Sequence, residues 1–215
     1  MYPSKKVLLL LLTLALTVCL FSGCETEADK VEKLSGNWST VTENSRQQAT
    51  ALLESVDLYP EEIALAEDIP LTYVQAVEFT AQKSYRFYIC SDDTLECVRS
   101  YFLDVFDALY EGRQTLNELY DQDFGPMKAE EFQQFYARLY VVNDFDALIR
   151  QFTACAYAPA VLDPPLETGT YTIRGNNILC TAAGEDEAGS LGYTLKDDQL
   201  TLSYSDGTEV YTRID

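Results

Sequence analysis

"LGYTLKDDQLTLSYSDGTEVYTRI", residues 191–214, alternates apolar and polar side chains with a period of two. Tyr193 and Leu195, then Leu200, Leu202 and Tyr204, stand between Thr, Lys and Ser. That period puts one set of side chains on each face of a strand and predicts a sheet with one buried face. Asp197 with Asp198, and Asp206 with Gly207, are turn pairs, so each strand folds back beside its predecessor. Upstream, Thr170 to Arg174 and Ile178 to Thr181 repeat the pattern around a turn at Gly175 to Asn177, and a looser loop runs from Gly184 to Gly189. Five strands with short joints make an up-and-down meander.

The same period recurs earlier in the chain. In "YVQAVEFTAQKSYRFYIC", residues 73–90, Val77 and Phe79, then Tyr85, Phe87 and Ile89, flank a turn at Gln82 and Lys83 and predict a hairpin. "LSGNWST", residues 34–40, begins a further strand over 37–42 and holds the only tryptophan, Trp38. Eight strands in all are enough to close a small barrel, whose interior is filled or holds one small ligand.

Helical periods interrupt the strands twice. Residues 46–56 and 60–67 read as short helices after strand 1, with Pro60 suited to a first turn. After strand 3, Asp93 and Glu96 have the spacing of a capping box. Leu95, Val98, Phe102, Val105, Phe106, Leu109, Leu116 and Leu119 then trace one face of a long helix. "DQDFGP", residues 121–126, breaks it, and a second run carries Phe132, Phe135, Tyr136, Leu139 and Tyr140, continuing past Asn143 through Phe145, Leu148, Ile149 and Phe152. The two runs predict an antiparallel helical hairpin, and the whole insertion spans 92–158 before Pro159, Pro164 and Pro165. The expected fold is therefore α+β: an eight-stranded antiparallel up-and-down barrel with helical insertions after strands 1 and 3.

The N-terminus carries processing signals. Lys5 and Lys6 precede an apolar run from Val7 to Phe21, too short to span a bilayer at ~20 residues. "FSGC", residues 21–24, resembles the lipobox of bacterial lipoproteins, with Phe21 in place of the usual Leu. The resemblance implies removal of residues 1–23, diacylglycerol on Cys24, and an exported protein held at the membrane by its lipid. Two acyl chains give stable anchoring. Residues 24–33, charged and without apolar period, read as a flexible tether reaching ~17 Å, and 34–215 as a single domain.

"LSGNW" together with the C-terminal meander resembles the lipocalin-like domains of secreted bacterial lipoproteins. In lipocalins a Gly-x-Trp opens the first strand, and its Trp packs at the closed end of the barrel beneath an Arg from near the C-terminus. Gly36, Trp38 and Arg213 match those positions, so the resemblance implies a structural pair between Trp38 and Arg213. The insertion over 92–158 departs from the simple pattern.

Composition narrows the chemistry. The chain has a net charge of −20; losing Lys5 and Lys6 with the signal makes it more acidic, which excludes nucleic acid as a partner. The absence of His removes the commonest general base and metal ligand. Asp121 and Asp123 begin like a calcium loop, but Gly125, Pro126 and Phe132 stand where ligands and the turn glycine belong. Ser190 lacks the nucleophile-elbow spacing. Glu61 with Glu62, and Glu130 with Glu131, read as solvated helix surface. No catalytic residue, metal or cofactor is indicated.

Four cysteines remain after Cys24, and an exported chain meets oxidants. Among the three pairings, Cys90 with Cys97 is favoured, as a strand end facing the first turn of a helix; Cys155 and Cys180 stay open. Fifteen Tyr and ten Phe either pack the core or line a pocket for an amphiphile. Two functions compete: a binding module for a small amphiphilic or aromatic molecule, and a cell-surface protein that meets another protein with a filled barrel.

Overall fold

The computed structural model describes residues 25–155, 167–205 and 207–214. The signal segment 1–23, Cys24, Asp206, the end of the insertion at 158, and Pro159, Pro164 and Pro165 lie outside the described residues. Eight strands form one closed antiparallel barrel in sequence order. They are β1 (Gly36–Glu43), β2 (Thr72–Phe79), β3 (Ser84–Ile89), β4 (Thr168–Arg174), β5 (Asn177–Ala182), β6 (Gly189–Lys196), β7 (Gln199–Ser203) and β8 (Thr208–Ile214). The fold is a lipocalin-like α+β architecture with helices inserted after β1 and β3.

Closure is made by β1 and β8, where Trp38 stands opposite Arg213. Across β2 the partner of Trp38 is Val77, and across β3 the partner of Val77 is Phe87. Alternate residues therefore share the inner face: Trp38, Val77, Phe79, Tyr171, Ile178, Leu200, Leu202 and Tyr211 form one buried barrel core. Gly169 on β4 permits this packing, because a Cβ there would come within 2.1 Å of the Thr181 carbonyl and 2.8 Å of the Tyr85 ring.

One helix precedes the barrel. Residues 25–33, expected as a flexible tether, instead supply most of α1 (Glu27–Leu34), started by a reciprocal cap between Thr26 and Asp29. Val31 and Leu34, three residues apart on one face, are buried in the barrel core. Lys30 donates to the Gly175 carbonyl at 2.8 Å, and Lys83 in the β2–β3 turn pairs with Glu27 at 2.7 Å. The helix thus lies across the end of the barrel where the chain enters β1.

The insertions leave from the other end. After β1 come α2 (Arg46–Ser55) and α3 (Pro60–Ala66); after β3 come α4 (Ser91–Glu111), a 3-10 turn at Arg113–Leu116, α5 (Asn117–Tyr120), α6 (Ala129–Leu139) and α7 (Phe145–Cys155). They share a separate apolar core to which, apart from Leu71 just before β2, only the inserted segments contribute. Phe102 and Phe106 are buried there against Phe152, and Phe106 also meets Tyr136 and Phe145, with ring centroids 5.1–5.9 Å apart. The aromatic face of α4 is therefore spent on its fellow helices.

Three expectations change. The cap of α4 is Cys90, not Asp93, and Thr94 uses its hydroxyl to accept from the Val74 N–H of β2 at 3.0 Å. The second helical run is two helices, parted by a left-handed residue at Val141 (φ 58°), so the insertion is a helical cluster, not a two-helix hairpin. Glu62 is fully buried instead of solvated, because α3 turns it into the helical core.

Candidate functional site

At the α1 end the Trp38 ring lies beneath Arg213, whose guanidinium carbon is 4.1 Å from the ring centroid. Arg213 also donates to the carbonyls of Lys33 at 2.7 Å and Ser35 at 2.9 Å, and the Trp38 indole N–H donates to the Leu34 carbonyl at 2.8 Å. These are the carbonyls that a helix leaves unpaired at its C-terminus, and a cation there also meets the negative end of the helix dipole. Gly36 is required: its φ is +136°, and a Cβ would stand 2.6 Å from the Arg213 guanidinium. The chemistry of this constellation is structural. It joins both chain ends and α1, and it closes one end of the barrel.

Beside it a cleft of about 520 Å³ runs between α1 and the β6–β7 turn, bounded by Lys30, Lys33, Arg213, Tyr193, Asp197 and Asp198. Its cations are engaged, Lys33 with Glu25 at 2.5 Å and Arg213 with Asp198 at 4.0 Å.

Towards the other end the interior changes character. Thr40 and Thr42 on β1, and Tyr73 and Gln75 on β2, follow Trp38 and Val77 at steps of two and so face inwards, with Thr40 opposite Gln75 and Thr42 opposite Tyr73. All four are only half-buried. Thr40 and Gln75, in the middle of their strands, can touch solvent from the inner face only if the space in front of them is unfilled, while Thr42 and Tyr73 stand next to the strand ends at the rim. Phe87 and Ile89 on β3 continue this half-buried wall.

Facing inwards from β8 is Glu209, opposite Leu202. The Tyr211 hydroxyl donates to its carboxylate at 2.6 Å, and the hydroxyls of Tyr204 and Tyr211 are 3.4 Å apart. Burial, with the neighbouring Glu209 adding to it, raises the phenol of Tyr73 above its ordinary value; burial likewise raises those of Tyr204 and Tyr211. These phenols are neutral donors and acceptors at any physiological pH. Among the described residues no Lys or Arg forms an ion pair with Glu209.

The favoured disulfide is not formed: Cys90, Cys97, Cys155 and Cys180 are free thiols. Because α4 begins at Ser91, Cys97 lies in its second turn, about 10 Å of helix rise from Cys90, beyond the span of a disulfide. Cys180 is inside the barrel, where burial pushes its thiol up to about 12, leaving it a protonated wall residue.

The buried Glu62 was missed by the sequence reading. Its carboxyl accepts from the Tyr59 N–H at 2.8 Å, the Tyr120 hydroxyl at 2.8 Å and the Tyr136 hydroxyl. It is saturated with partners and closed from solvent, which fits a structural clamp within the helical core. The only hint in the sequence is its place as the third residue of a helix.

Comparison with known protein families, curated proteins and solved structures finds no match to this chain.

Proposed function

We propose that the protein is an exported lipoprotein, anchored by diacylglycerol on Cys24, whose barrel holds a small amphiphilic or aromatic molecule without transforming it. The observation that carries the binding reading is the half-buried inner wall at Thr40, Thr42, Tyr73 and Gln75. Apolar rings flank polar tips there, the composition that suits an amphiphilic guest. Anchoring is supported by the "FSGC" motif. Only Glu25 and Thr26 separate Cys24 from α1, so the lipid would hold the closed end of the barrel near the bilayer and leave the open end and helical cluster outward.

Two experiments test this. Cys24→Ala should release the protein from the membrane fraction; full retention would refute the anchor. The soluble variant should take up diphenylhexatriene or a charged derivative of it with a saturable rise in fluorescence, and an absence of uptake of every such probe would refute the binding reading.

Protein recognition is the second reading. Val141, 90% exposed, holds a left-handed backbone that a β-branched residue rarely adopts, and Leu139 beside it is 46% exposed. An apolar pair kept at a strained, solvated turn is what a docking contact would need.

A further inference from the structure

We propose that the occupant of the barrel is an organic cation, an apolar or aromatic body bearing an ammonium group that sits against Glu209. This rests on the binding reading above and names the chemistry of the guest.

Glu209 faces the interior from β8 and is half-buried, with Tyr211 hydrogen-bonded to it, and Tyr204 joins through the Tyr211 hydroxyl. On the neighbouring inner wall Thr42 and Tyr73 stand opposite one another, with Tyr73 near enough to feel the Glu209 carboxylate. Apart from this carboxylate, the inner wall described above carries only neutral side chains.

An uncharged guest entering this space would strip water from Glu209 and leave its charge without compensation, which is costly in an apolar surrounding. An anionic guest would add repulsion. An ammonium group supplies the missing countercharge, and the faces of tyrosine rings attract such cations. The net charge of −20 adds a long-range field that draws cations and repels anions.

The test uses soluble protein carrying Cys24→Ala, so that no lipid dissolves the probe. Diphenylhexatriene, its trimethylammonium derivative and its propionate derivative share one apolar body and differ in charge. The ammonium probe should bind about tenfold more tightly than the uncharged parent, and the propionate more weakly than either. Glu209→Gln retains an acceptor for Tyr211; it should reduce the ammonium preference to about twofold or less and tighten binding of the uncharged parent, which no longer strips water from a charge. Asp198→Asn, at the other end of the barrel, should change nothing. Equal binding of all three probes, or an ammonium preference that survives Glu209→Gln, overturns the proposal while leaving the binding reading intact. Failure of all three to bind removes the binding reading as well. Should Glu209→Gln not fold, the ranking of the three probes on the parent protein decides alone.

Discussion

In the helical cluster each large ring meets another: Phe106 touches Tyr136, Phe145 and Phe152, and Phe124 touches Tyr120, Phe132 and Phe135. In the barrel the same density is reached only towards the α1 end, around Trp38, Phe79 and Tyr171, while the inner faces of β1 and β2 turn to half-buried Thr, Gln and Tyr. In the helical core the carboxylate of Glu62 has three donors and no exposure; in the barrel that of Glu209 is half-buried with Tyr211 as its donor, and that of Glu167 accepts from Tyr85. A saturated polar group belongs to the scaffold, and one with capacity to spare is open to a guest. The difference separates a region whose buried polar group is saturated from one whose inner wall is half-buried.

Alkali should have the largest effect, because it attacks both regions. Burial raises the phenols of Tyr101 and Tyr136 in the helical core and of Tyr204 and Tyr211 in the barrel. A group whose folded value is raised contributes stability that is fully present below its unfolded value, about 10 for tyrosine, and lost as pH rises above it. Circular dichroism should show stability constant below about pH 9 and falling steeply above pH 10. Tyr211→Phe should flatten the fall for the barrel signal alone.

Next come the two cores taken singly. Trp38→Ala should cost the barrel about 3–5 kcal/mol, and Phe106→Ala should cost the helical cluster a similar amount. Thermal melts followed by hydrogen exchange should show each variant lowering protection mainly in its own region. Equal loss in both regions from either variant would break the comparison, since it would make the two cores one cooperative unit.

Arg213→Met keeps much of the side-chain volume but removes the contact over Trp38 and two bonds to the end of α1. About 2–3 kcal/mol should be lost, with amide exchange in residues 27–34 accelerating most. Smallest is Val141→Gly, which relieves a left-handed strain and should stabilise the helical cluster by about 1 kcal/mol.

Much of the barrel was legible in the sequence because its evidence is local. Alternation at Tyr171, Ile173, Leu200 and Leu202, punctuated by turn residues, needs no knowledge of distant partners. Trp38 and Arg213 were legible as a resemblance, but the service of Arg213 to α1 was not, because the helix itself was unreadable. Only Val31 and Leu34 mark its apolar face in an otherwise charged segment. Glu62 was read as surface since its donors, Tyr120 and Tyr136, are 58 and 74 residues away. The proposed disulfide failed on the two or three residues by which the start of α4 differs from its expected place. The half-buried wall was hidden for another reason: Thr40 and Gln75 are polar residues facing inwards, where alternation leads one to expect apolar ones.

Thr40→Trp tests the central claim, that the barrel is filled at one end and open at the other. If the space before Thr40 is empty, the indole occupies it, leaving the thermal midpoint unchanged or raised and abolishing uptake of diphenylhexatriene. If the interior is packed throughout, the larger side chain must displace its neighbours and should destabilise the barrel by about 1–3 kcal/mol; that loss, with uptake of the probe unaltered in the protein that remains folded, would contradict the account.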